Sequence, residues 1–215
     1  MRLVSGFLDQ LFPETCLHCD KHFAEDGLLC RQCAETLCAA KEGTLTANGH
    51  ARHHALIYEG AAKSLFAAAK FSDRRRAQKQ LQKWAVPSLQ KLNIPESSFI
   101  EMPSSKPFLH NLLKRTVPPE KLSRSAFVFD FSQKGKQNKA LKEAQRFQRI
   151  AETLKLSGRP LPEAKVYILC DDVFTTGATL GHAAWLLRQK LALEPAQIQL
   201  WSLMYRPRQF EDEQI

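Results

Sequence analysis

Two adjacent carboxylates, Asp171 and Asp172, close an apolar run (Val166-Tyr167-Ile168-Leu169-Cys170), and a hydroxyl-rich turn follows as Thr175-Thr176-Gly177-Ala178-Thr179. A strand-type run that passes into such a turn and then a helical pattern gathers side-chain oxygens and backbone N–H groups around one small concave spot. That set suits a sugar bearing a phosphate, with carboxylates for the hydroxyls and amides for the anion. Paired carboxylates at a strand tip have three uses: accepting hydrogen bonds from a ribose diol, holding Mg²⁺ through water, or forming a phosphoacceptor pocket. The turn chooses among them. Thr175, Thr176, Gly177 and Thr179 surround a helix start, where orphan N–H groups and the helix dipole favour a phosphate. Gly177 lets the backbone come close to the anion and supplies an unusual φ. A buried strand with a threonine N-cap would account for Thr175 but not for the paired acids or the other hydroxyls.

A second constellation stands near the N-terminus as Cys16-x2-Cys19-x10-Cys30-x2-Cys33. Each Cys-x2-Cys knuckle offers two thiolates from one tight turn, and two knuckles complete a tetrahedral Zn²⁺ sphere. So short a segment buries little core, so the metal would supply the folding free energy itself. Four thiolate ligands leave no open position, which implies a structural site. The alternative is a pair of disulfides, which needs an oxidising compartment that nothing in the chain indicates. Cys38 and His18 read as bystanders.

The elements that must position these groups follow from periodicity. Residues 43–54 turn small and polar and read as a connector. Ala55-Leu56-Ile57-Tyr58 reads as a strand, and Ala61 to Lys70 as a helix with Leu65 and Phe66 on its apolar face. A second helical pattern starts at Arg74-Arg75-Arg76 and is stopped or kinked at Pro87. Short strands are expected at 98–102 and 126–129, a long amphipathic helix at 140–154, and a last strand at 198–203. Strands alternating with helices predict an α/β fold with a parallel sheet. In such a sheet ligands lie beyond the carboxyl ends of the strands, where Asp171 and Asp172 fall.

The 215 residues suffice for one α/β domain (43–215) and a small N-terminal module (1–42). Lys+Arg 31 against Asp+Glu 22 gives a formal charge of +9, which favours a polyanionic partner, phosphorylated metabolite or nucleic acid. No apolar run reaches the roughly 20 residues that span a bilayer. Leu3, Val4, Phe7, Leu8, Leu11 and Phe12 recur at helical spacing, interrupted by Asp9 and Gln10, and read as a docking helix rather than a signal peptide. A cytoplasmic location is expected.

The string from Val166 to Thr179 resembles the phosphoribosyl-pyrophosphate signature of type I phosphoribosyltransferases, with Phe174 larger than the usual aliphatic. The four-cysteine module joined to that signature makes the chain similar to the ComF-type competence proteins. Further matches are Tyr58-Glu59-Gly60, Lys70-Phe71 and Lys136-Gln137-x3-Leu141-x4-Arg146. The resemblance weakens between Met102 and Arg115. It implies a type I phosphoribosyltransferase-like domain in which Asp171 and Asp172 grip the ribose hydroxyls, with Val173 beside them. Thr175, Thr176, Gly177, Ala178 and Thr179 would take the 5′-phosphate, and Mg²⁺ would bridge ribose and pyrophosphate. Asp171, Asp172 and Lys136 are the implied catalytic residues, Lys136 lying with Lys134 and Lys139 in a basic segment suited to a lid. Phosphoribosyl pyrophosphate is the implied ligand, and the DNA-uptake machinery of natural competence the implied partner. The competing expectation is a non-catalytic protein that handles single-stranded DNA and keeps the pocket as a sensor or anchor.

Overall fold

Near-continuous runs of Ile, Leu, Val and aromatic residues at 166–170 and 198–204 suit strands buried on both faces, as parallel sheets require. The computed structural model describes residues 15–21, 28–40, 44–46, 48–124, 126–130 and 143–207. The expected helix over the first twelve residues and the segment holding Lys134, Lys136 and Lys139 lie outside the described residues. In chain order the elements are α1 (Arg31–Glu35), β1 (Thr44–Leu45), β2 (Ala51–Ile57), α2 (Gly60–Lys70) and α3 (Arg75–Leu92). There follow β3 (Ser97–Glu101), α4 (Phe108–Leu113), β4 (Leu122–Ser123), β5 (Phe127–Phe129) and α5 (Glu143–Thr153). The chain continues with β6 (Leu154–Leu156), β7 (Val166–Phe174), α6 (Ala178–Leu191) and β8 (Ile198–Tyr205).

The main sheet runs β1-β2-β8-β7-β3-β4. Five of its strands are parallel and β1 closes one edge antiparallel, so the expected α/β parallel sheet is present. Helices cover both faces. On one, Leu65 of α2, Leu81 and Leu89 of α3 and Leu109 of α4 pack on Phe99, Ile168 and Trp201. On the other, Leu180, Ala183 and Leu187 of α6 pack on Ile100, Leu169 and Leu200. The chain leaves β3 towards β4 but leaves the adjacent β7 towards β8, in the opposite direction. Such a reversal opens a crevice at the carboxyl ends of the two strands.

Three expectations need correction. Residues 43–54 are not merely a connector: they carry β1 and the first part of β2. Arg52, His53 and His54 hide the strand pattern, yet His54 is buried because its ring finds a partner on β8, Ser202. The helix at Arg75 neither stops nor breaks at Pro87 but continues to Leu92. A proline inside a helix costs about 3 kcal/mol, whereas burying Leu81, Leu89 and Leu92 returns roughly 1.5–3 kcal/mol each. The strand at 127–129 does not join the main sheet but pairs antiparallel with β6.

Just past Pro87, Ser88 ties α3 to the sheet. Its hydroxyl accepts from Trp201 Nε1 (2.9 Å) and donates to the Ala85 carbonyl (3.0 Å). Both residues are buried, so Ser88→Ala strands an indole N–H and is expected to cost about 1–3 kcal/mol. Urea unfolding measures it; a loss below about 0.5 kcal/mol at constant slope contradicts the role given to this bond.

Candidate functional site

The turn after β7 is built around a glycine that cannot be anything else. Gly177 is the N-cap of α6 with φ +75° and ψ +4°. A Cβ there would lie 2.7 Å from Cζ of Phe174. The Phe174 ring is itself held in place: the His54 ring lies 5.0 Å away, and the Arg52 guanidinium sits 5.7 Å from its centroid. His54 in turn stacks on Tyr205 at 4.6 Å. The Ser202 hydroxyl donates to the Met204 carbonyl (2.7 Å), so it accepts from His54 Nδ1–H at 2.8 Å. Burial, then the charges of Arg52 and His53, push His54 down to about 3, so this ring stays neutral.

Above this floor the helix start is open. The N-cap residue of α6, Gly177, has no side chain to offer, and the residue before it supplies the acceptor instead. Thr176 Oγ1 accepts from Ala178 N (3.3 Å), and the Gly177 carbonyl accepts from Gly181 N (2.7 Å). Asp171, Val173 and the residues from Phe174 to Leu180 line a small concavity. Thr175, Thr176, Gly177, Ala178 and Thr179 are therefore gathered as the sequence suggests, with first-turn N–H groups of the kind that receive anions.

The two acids are in a strand, not at its end. Asp171 pairs in register with Ser202, and β7 continues to Phe174 opposite Tyr205. Successive strand residues point to opposite faces, and the pair is accordingly split. Asp171 lines the concavity; Asp172 forms an ion pair with Lys70 at the end of α2. The Lys70 ammonium also lies over the rings of Phe66 (5.4 Å) and Phe71 (5.7 Å). Burial, and then the neighbouring Asp172 charge, push the Asp171 carboxyl up to about 7, against the pull of the Asp172 N–H and Lys70. That backbone N–H donates to Asp171 Oδ1 at 2.8 Å.

The four cysteines come together. Their sulfurs all lie within 4.8 Å of one another, and Cys19 Sγ is 3.8 Å from Cys30 Sγ. Tetrahedral Zn–S bonds of about 2.3 Å require sulfurs about 3.8 Å apart. Burial raises the Cys16 thiol, but hydrogen bonds from the backbone of Cys19, Cys30 and His18 outweigh it and bring it down to about 6. Burial and the surrounding thiols push Cys33 up to about 12. Cys38 is exposed and outside the cluster, and His18 is hydrogen-bonded to Ser64 of α2 at 3.1 Å. Lys136 lies outside the described residues. Sequence reasoning missed the Lys70–Asp172 pair, the His54–Ser202 support, and a Glu101–His110 pair (2.9 Å) at the end of β3. The one available signal was an acid, Glu101, following Phe99-Ile100 in an apolar strand.

Asp171 carries a pH signature. Its ordinary value is 3.8 and its folded value about 7. Between these the folded chain binds more protons than the unfolded one, so this group makes stability fall as pH rises from about 4 to about 7, with no further loss above. Asp171→Asn is expected to remove that part of the fall and to melt higher than the parent at pH 8. Melting curves across pH 4–8 check this, and parallel curves for the two proteins would contradict it. No family model matches the chain, and no curated protein matches it in sequence.

Proposed function

We propose that the concavity from Asp171 to Thr179 binds the phosphoribosyl group of phosphoribosyl pyrophosphate, and that the chain is a type I phosphoribosyltransferase-like protein of the ComF kind acting in DNA uptake. One observation carries the reading. A helix start behind a left-handed glycine shares one concavity with a crowded carboxylate beside the sheet's topological switch point. The amides of the Thr176–Thr179 turn suit the 5′-phosphate, and Asp171 suits a ribose hydroxyl. Asp172, the second acid this reading assigns to the ribose, is held by Lys70 on the opposite face of the strand.

The donor set also fits Mg²⁺. Asp171 offers hard oxygens in a place where its charge is disfavoured, and a divalent cation would relieve that. When bound with the substrate, the ion would neutralise charge building on departing pyrophosphate. The chain's part is positioning and exclusion of competing geometry. Lys136, which lies outside the described residues, belongs to the proposal only as the resemblance implies it.

A groove supports a second reading, in which the protein handles single-stranded DNA. Arg75, Arg76 and Lys79 of α3 and Asn111 and Arg115 from α4 and its end line an open depression in which Asp73 is the one acid among the described residues. Such a density of cations suits a phosphate backbone. Among the described residues no helix is long and apolar enough to cross a membrane.

Calorimetry with phosphoribosyl pyrophosphate and Mg²⁺ separates the readings. The parent is expected to bind at one site, and Asp171→Asn to weaken binding by about tenfold or more, the loss of one charge-assisted hydrogen bond. Its affinity for a fluorescent oligonucleotide should stay unchanged. Absence of both heat and thermal shift would rule out the phosphoribosyl reading. For the cysteine cluster, elemental analysis is expected to find one zinc per chain, and chelation to lower the melting temperature. A metal-free protein with the same melting curve refutes a structural zinc.

A further inference from the structure

Strand β3 ends in a residue that its surroundings should reject. Phe99 and Ile100 are fully buried, and Glu101 continues the strand at 5% exposure. Taking a carboxylate out of water costs several kcal/mol, and an apolar residue of similar size would pack there at no such cost. The turn after Pro103 brings α4 back so that His110 Nδ1 meets Glu101 Oε2 at 2.9 Å. His110 remains partly exposed, with 22% of its side chain accessible.

The pair stands opposite the acids of β7. Glu101 is in register with Cys170, and Met102 N donates to the Cys170 carbonyl at 2.8 Å. Asp172 follows two residues beyond Cys170 on the same face. Strands about 4.8 Å apart and a rise of about 3.3 Å per residue put the backbones at Glu101 and Asp172 about 8 Å apart. One wall of the switch-point crevice therefore carries a carboxylate–imidazole pair, and the other carries Asp172, with Asp171 the next residue back on the opposite face. The other titratable or charged groups that act on or feel Glu101 are Arg124 after β4 and Cys170 on β7. Burial holds the Glu101 carboxyl above its ordinary range, and His110 and then Arg124 offset only part of that.

We infer that His110 is the proton acceptor for the group that attacks the phosphoribosyl carbon, and that Glu101 is the positioning residue that fixes its ring. This rests on the phosphoribosyl reading above. An ionised Glu101 only accepts, so Nδ1 carries the hydrogen and Nε2 presents a lone pair. That is the base-and-orienter arrangement used to activate weak nucleophiles. As the nucleophile's lone pair bonds to C1, the C1–O bond breaks and its electron pair leaves with pyrophosphate. The proton lost by the nucleophile goes to Nε2. With water attacking, the products are ribose 5-phosphate, pyrophosphate and that one proton.

Pyrophosphate release from phosphoribosyl pyrophosphate, with Mg²⁺ and with water as acceptor, tests the assignment. His110→Ala and His110→Gln are expected to lower kcat by about 100-fold or more, the usual contribution of a positioned base. Calorimetric affinity should stay within about threefold, since neither change touches the phosphate turn. Added imidazole is expected to restore part of the rate of His110→Ala. Glu101→Gln should change the pH profile of kcat more than KM, and Glu101→Asp should recover part of the parent profile. A rate and pH profile unchanged in His110→Ala overturn the inference, as does a parent that binds the ligand but releases no pyrophosphate. A parent that does not bind the ligand overturns the phosphoribosyl reading first, and this assignment with it.

Discussion

Strand β7 outruns its neighbour β3 by four residues, and the chemistry of the molecule depends on that mismatch. The ladder to β3 ends at Glu101 opposite Cys170, while the ladder to β8 continues to Phe174 opposite Tyr205. From Asp171 to Phe174 the strand is thus anchored along one edge and open along the other. A strand held on one side keeps its side chains at fixed alternation without a neighbour to cover them. This allows Asp171 to face the concavity while Asp172 faces α2. Had β3 been longer, its side chains would fill the crevice; had β8 been shorter, the acids would sit on a loop. Both limits come from the sheet, not from the acids.

The same constraint explains the burial of charge at this end of the sheet. Asp171, Asp172 and Glu101 sit where parallel strands stop and helices on both faces still exclude water. Each carboxylate has a donor in reach: the Asp172 N–H, Lys70 and His110 in turn. A structural core of similar volume needs none of them. Three carboxyl groups kept at this cost support the proposed ligand crevice more strongly than the concavity alone does.

Local patterns in the sequence disclosed the parts whose physics is local. The Asp171–Thr179 spacing fixes a strand, a left-handed turn and a helix start within nine residues, and Gly177 behaves as such a turn demands. The Cys-x2-Cys knuckles likewise close within short range. Partners far apart in the chain were not legible. Lys70 reaches across 102 positions to Asp172, and His54 across 148 to Ser202. His54 reads as a polar interruption until Ser202 and Tyr205 surround it. Pro87 reads as a helix stop or kink because propensity is local, whereas the buried face of Leu81, Leu89 and Leu92 that carries the helix on is a tertiary matter. Glu101 was visible as a letter, but its burial depends on α4 folding back, which no periodicity in a six-residue helix announces.

Helix α2 joins the two constellations that the sequence shows separately. Its first half faces the cysteine module: Ser64 bonds His18, and Leu28, Leu29, Cys30 and Cys33 share one apolar cluster with Ala61, Ala62, Leu65 and Phe66. Its last residue is Lys70, the partner of Asp172. Eleven residues of helix span about 16 Å, so a rigid rod links the thiol cluster to the acid pair. The cysteine module contributes little core of its own, and what apolar surface it has is placed against this helix. Phe66 packs edge-on against Phe108 of α4 at 5.7 Å, which extends the same contact towards the helix that carries His110. Closing the four sulfurs on a metal thus does more than fold a short segment. It would fix the far end of the helix whose near end orients Asp172, so the cysteine cluster bears on the geometry of the proposed phosphoribosyl pocket through packed side chains.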